Sequence, residues 1–138
     1  MKNPLIYVFA FTMVYSAVDA TEADIAAALQ HPDRPSADSE NDVLRMPRAV
    51  LEFAGLQNGM SVLELEAGGG YYTEIISRAV GADGNVILQH APGLMGFVGD
   101  GIDVRTAGGR LGNVEVSITD FDDLAAEDNS VDLVTWIQ

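Results

Sequence analysis

The residues best suited to chemistry lie in one short run, Val62-Leu63-Glu64-Leu65-Glu66-Ala67-Gly68-Gly69-Gly70-Tyr71-Tyr72. Glu64 is a carboxylate set among Val62, Leu63 and Leu65, and a charged group in apolar surroundings wants a partner. Three glycines follow. Lacking Cβ, Gly68 and Gly70 let a ligand approach the backbone closely and accept positive φ where needed. From Tyr71 onward, Ile75, Ile76, Ala79 and Val80 recur at helical spacing. A strand, a glycine turn and a helix N-terminus in succession hold a nucleotide-like ligand against backbone amides. Elsewhere no Ser-His-Asp set, metal-ligand cluster or pair of catalytic carboxylates is visible, so no catalytic residue and no metal site is assigned. Asp122 and Asp123 are neighbours that point to different sides and make a poor dyad.

Elements around this run must place it. Asn58-Gly59 is a turn signal ahead of a strand over 61–66. The helix from Tyr71 ends at Gly81, and Asp83-Gly84 leads into a second strand, Asn85 to Gln89. Residues 92–112 are rich in glycine, which weakens any helix between Leu94 and Thr106. Asn113 to Ile118 alternates as a third strand, and Val131 to Ile137 follows the Asp128-Asn129-Ser130 turn as a fourth, with Trp136 expected in the core. Upstream, Thr21 with Asp24 resembles a cap for a short helix, Ile25 to Leu29. His31 to Ser36 reads as a turn, and a second helical stretch runs from about Ser39 to Ala54, divided at Pro47. Strands alternating with helices imply an α/β fold: a Rossmann-like, doubly wound parallel sheet preceded by N-terminal helices.

Residues 1–20 read as an export signal rather than fold. Lys2 precedes a mostly apolar run, Leu5 to Val18, and Val18-Asp19-Ala20 is a small-residue cleavage pattern. The run is short of the ~20 residues that span a bilayer. A periplasmic or secreted protein with no stable membrane association after cleavage is therefore expected, and without cysteine it has no disulfides. The segments expected are 1–20 signal peptide, 21–58 helical and 59–138 ligand-binding. A net charge of −14 argues against nucleic acid or anionic lipid as partner, since both need a basic surface.

A glycine loop of this kind serves several cofactor classes, and the position of the acid separates them. A dinucleotide site wants Gly-x-Gly-x-x-Gly and an acid after the second strand. Here Thr73 stands where the third glycine would be, and His90 follows the second strand. The acid is instead Glu64, inside the first strand. That layout resembles the class I S-adenosylmethionine-dependent methyltransferases, whose first motif overlays Val62 to Gly70. The wording Ala-Gly-Gly-Gly-Tyr-Tyr-Thr-Glu behind His-Pro-Asp-Arg-Pro is similar to a subgroup of exported bacterial proteins predicted to be methyltransferases. Asp120-Phe121-Asp122-Asp123-Leu124 is similar to the family's adenine-side motif, and Asp128 to Val134 to its entry into the fourth strand.

The resemblance implies S-adenosylmethionine as cofactor. It also implies a binding set of Glu64, Glu66, Ala67, Gly68, Gly69, Gly70, Tyr71, His90, Asp120 and Phe121. Glu64 would face the ligand ammonium, Asp120 the adenine amino group and Phe121 the ring. One of Tyr71 and Tyr72 would line the pocket. Glu66 replaces the first loop glycine: either it bears the strain of positive φ or it adds an acid near the cationic end of the ligand. His90 replaces the ribose-binding acid and cannot accept two hydroxyls as a carboxylate does. By the resemblance, the chain is the N-terminal half of the fold, about four strands ordered third-second-first-fourth. The acceptor-binding groups would come after the fourth strand. An uncovered sheet face and edge would then favour pairing with another copy or a partner. The expected function is the cofactor-binding portion of a methyltransferase with unknown acceptor. A non-catalytic truncated fragment or pseudoenzyme acting as a binding module is the alternative, and a nicotinamide- or flavin-binding domain is a weaker one.

Overall fold

The computed structural model describes residues 22–137. The export signal expected over 1–20 and the cap expected from Thr21 lie outside them. Within them, Asp24 itself caps α1 (Ile25–Leu29), its carboxylate accepting the Ala27 N–H at 2.8 Å. Helix α2 (Ser36–Arg45) starts three residues earlier than expected, directly behind Pro35. It stops where Met46 turns left-handed, at φ 44°, and Pro47 restarts the chain as the first residue of α3 (Pro47–Phe53).

The sheet contains β1 (Ser61–Leu65), β2 (Asn85–His90), β3 (Val114–Ile118) and β4 (Leu133–Thr135), in the order β3-β2-β1-β4. All pairs are parallel, with Val62 opposite Val86 on one side and Leu133 on the other. This is the four-stranded Rossmann-like α/β sheet expected. Helix α4 (Tyr71–Val80) links β1 to β2, and α5 (Met95–Val98) and α6 (Gly101–Thr106) lie between β2 and β3. The glycine-rich segment is thus helical in part.

Val62 and Val86 point to one face, where Ile75, Ile76, Ala79 and Val80 of α4 meet Ile25, Ala28 and Leu51 from α1 and α3. Burying each large side chain there contributes roughly 1.5–3 kcal/mol. Gln89, one residue out of phase with Leu88, serves the opposite face. Its amide donates to the carbonyls of Thr119, Asp120 and Asp123, and its oxygen accepts the Ala125 N–H at 2.9 Å. One buried side chain therefore holds the segment that leads from β3 toward β4. Trp136, expected in the core, is 58% exposed and rests on Phe121 with ring centroids 5.3 Å apart. β4 is shorter than its apolar pattern suggested, so Trp136 falls beyond the paired residues.

Glu74, on the first turns of α4, is fully buried beneath three guanidinium groups. Arg78 and Arg105 reach it at 2.9 and 2.7 Å and Arg110 at 2.8 Å. Burial alone would raise the Glu74 carboxyl, but the arginine hydrogen bonds outweigh it and hold the group below its ordinary range. This cluster fastens α6 and the chain behind it onto α4.

Candidate functional site

β1 ends at Leu65 and the chain turns at once. Glu66 is left-handed, at φ 54°, Gly68 and Gly70 follow at 57° and 80°, and α4 begins at Tyr71 with Gly70 as its N-cap. No side chain caps that helix. Its first-turn amides therefore have no side-chain acceptor, as at any uncapped helix start. A Cβ at Gly68 would meet nothing within 4 Å, whereas one at Gly70 would stand 2.8 Å from Arg105 Cδ and 3.2 Å from Ile102 Cδ1. The loop is therefore open at its first glycine and packed by α6 at its last. Arg105 Nε completes that packing by donating to the Gly69 carbonyl at 2.6 Å.

Beside Gly68 lies a cleft of about 330 Å³ lined by Arg45, Glu66, Ala67, Leu94, Phe97 and Ile137, among others. It opens at the carboxyl ends of the strands, where α/β sheets take their ligands, and its volume sits at the low end of the usual ~300–1,000 Å³ range. A larger cleft of about 470 Å³, beside Ser77, Gly81 and Asn113, lies at the far end of α4, away from the glycine loop. Its charged lining residues Arg78 and Arg110 are already paired with Glu74.

Glu64 is 1% exposed, and neither carboxylate oxygen has a hydrogen-bond partner. Burial pushes it up to about 7, against the pull of the nearby Thr73 hydroxyl, which stops short of hydrogen-bond geometry, and of the Arg105 charge. Thr73 lies on the first turn of α4, so Glu64 faces the same side of the sheet as the glycine loop. Glu66 departs from glycine in a conformation that costs a side chain about 1–2 kcal/mol. Its Oε1 accepts the Ala91 N–H at 2.8 Å, and its Oε2 lies 3.3 Å from His90 Nδ1. His90 is fully buried at the end of β2, and its Nε2 has no partner.

Other expected residues are placed elsewhere. Tyr71 and Tyr72 are both buried and neither lines the cleft. The Tyr71 hydroxyl bonds Asp42 Oδ1 at 2.5 Å and the Tyr72 hydroxyl the Arg45 carbonyl at 2.9 Å. They serve instead to dock α2 on α4. Asp120 is exposed, with its carbonyl engaged by Gln89, and Phe121 packs on Trp136. Neither is among the cleft-lining residues. Arg45 is a site residue that local sequence did not reveal. Among the described residues every other arginine lies within 4.0 Å of a carboxylate. Arg45 instead rests over the Tyr71 and Tyr72 rings, at 4.7 and 5.8 Å, and lines the cleft.

Comparison with known proteins agrees with this fold. Residues 30–120 match the profile of the protein-L-isoaspartate(D-aspartate) O-methyltransferase family. The chain belongs to the class I S-adenosylmethionine-dependent methyltransferases. It is 34% identical over 121 residues to a ubiquinone/menaquinone biosynthesis C-methyltransferase of Psychromonas ingrahamii, covering 83% of this chain and 47% of that one. A counterpart from Hydrogenovibrio crunogenus is 38% identical over 88 residues, covering 64% and 34%. The solved structure of a SAM-dependent methyltransferase from Aquifex aeolicus superposes with a TM-score of 0.60 at 27% identity, covering 82% of this chain and 56% of that one. The chain thus spans about half the length, or less, of these curated relatives. Its parallel Rossmann-like sheet is the part held in common with the class.

Proposed function

We propose that the cleft binds S-adenosylmethionine and that the chain is the cofactor-binding portion of a methyltransferase whose acceptor is unassigned. The observation that carries this reading is the open, Cβ-free backbone at Gly68 in a cleft that Arg45 and Glu66 also line, at the end of the strand that holds the unpartnered Glu64. The residues present fit the ligand. Glu64 would take its ammonium, Gly68 and the amides opening α4 would receive its amino-acid end, and Arg45 would pair with its carboxylate. When bound, the cofactor supplies an electrophilic methyl carbon on sulfonium. The protein's part is to orient that methyl and keep water from it.

Isothermal titration with S-adenosylhomocysteine tests the reading. Micromolar binding is expected, weakened about tenfold or more by Arg45→Ala, the scale of a hydrogen bond between charged groups. A folded sample that binds neither this compound nor S-adenosylmethionine would discard it. The alternative, a binding module without turnover, is eliminated by detection of methyl transfer from the chain.

Two further parts of the reading rest on sequence and surface. The apolar run Leu5 to Val18 and the Val18-Asp19-Ala20 pattern support export to the periplasm or beyond, with Thr21 as the mature N-terminus. Sequencing the N-terminus of the native protein and finding Met1 would refute this. The exposed apolar residues at the β4 edge support self-association.

A further inference from the structure

Glu66 holds a left-handed conformation that glycine would adopt without strain, and a strained side chain retained at a cleft points to a use for that side chain. Its carboxylate is not swung into solvent. Ala91 N–H and His90 Nδ1 draw it to the end of β2, which is where an α/β sheet ordinarily presents an acid to ribose hydroxyls. His90 occupies that place in the chain and is too deeply buried to expose much of its ring. Two features suit the pair to hydroxyls. A carboxylate has about four acceptor positions, and the two contacts found leave others unused in a residue that lines the cleft. A carboxylate only accepts, so His90 Nδ1 donates in their contact and braces the Glu66 carboxylate at the strand end.

We propose that Glu66, braced by His90, is the acceptor for the vicinal hydroxyls of a bound ribose, so that the acid missing from the end of β2 is supplied from the end of β1. This rests on the cofactor reading above. A latch between the two strand ends without a ligand role would leave the hydroxyl preference unmoved when the carboxylate is replaced. The diol role needs the carboxylate charge.

The test is calorimetric titration with S-adenosylhomocysteine and its 2′,3′-dideoxyribose analogue, alongside thermal melting. The wild type should prefer the ribose compound by about tenfold or more, the scale of a lost hydrogen bond to a charged group. Glu66→Gly, suited to the backbone there, should lose that preference. Glu66→Gln, which keeps an acceptor for the Ala91 N–H, should lose most of it while melting as the wild type does. The double change Glu66→Gly with His90→Asp should regain it, because the acid returns to β2. Equal hydroxyl preference in the wild type and in Glu66→Gln overturns this inference and leaves the cofactor reading standing. A folded wild type that binds neither compound overturns both.

Discussion

Glu64 couples the site to pH. Its folded carboxyl titrates at about 7 against an ordinary 4.5, with burial the main cause. The folded state therefore binds the proton more tightly than the unfolded chain. Stability from this group is full below about 4.5, falls as pH rises toward 7, and is flat above that. The loss is of order 3 kcal/mol, from ~1.4 kcal/mol per pKa unit. Asp42 and Glu74 work in the opposite sense: both are lowered, so their contribution is lost only in acid. Glu64→Gln should abolish the decline between pH 5 and 7 and raise the melting temperature at pH 8. Urea titrations across that range measure it, and an unchanged slope in the variant would show that another group is responsible. An ammonium-bearing ligand at Glu64 should also displace its proton near pH 6, seen as heat that varies with the buffer's ionisation enthalpy. That Glu64 was exceptional could be read from its apolar neighbours, Val62, Leu63 and Leu65. Arg45 could not be read this way, because it stands out only once every other arginine has found its acid in three dimensions.

At the scale of elements, the amphipathic α4 and its start at the glycines followed from spacing alone. Its outer face did not. Glu74 and Arg78, four residues apart, look like an exposed helix pair, yet Glu74 is fully buried because Arg105 and Arg110 descend on it from the far side of the glycine-rich segment. The same contact explains why α6 forms despite poor local propensity: Ile102 and Arg105 pack on Gly70, and packing outweighs propensity in a short helix. Glu74→Ala leaves Arg78 and Arg110 without their acid and Arg105 with Asp38 alone. We expect a loss of about 3–5 kcal/mol in chemical denaturation, with weakened ligand binding as the Arg105 prop on Gly69 loosens. A loss below about 1 kcal/mol, the scale of a surface pair, would show that the cluster is solvated in solution.

At the scale of the whole molecule, the two faces of the sheet are covered unequally. α1, α3 and α4 bury one face, while the other is crossed by the loop that Gln89 holds. Along that side Val134 and Trp136 are 54% and 58% exposed, and Phe121, itself exposed, rests on Trp136. Apolar groups gathered at a strand edge favour pairing. Sedimentation should show mass rising with concentration, and Trp136→Ser should shift the protein toward monomer. A wild type that stays monomeric across the range removes the self-association proposed above.

The sequence by itself determined the strand–glycine–helix unit, the parallel sheet and the acid at Glu64, because period, turn chemistry and a misplaced charge are local properties. Only the tertiary structure decided which residues face the cleft. It turned Tyr71 and Tyr72 inward to Asp42 and Arg45, left Phe121 against Trp136, brought Arg45 to the glycine loop and drew Glu66 to His90. The reason is physical: these pairings join residues more than twenty positions apart or depend on how the chain closes between elements, and local spacing carries no record of either.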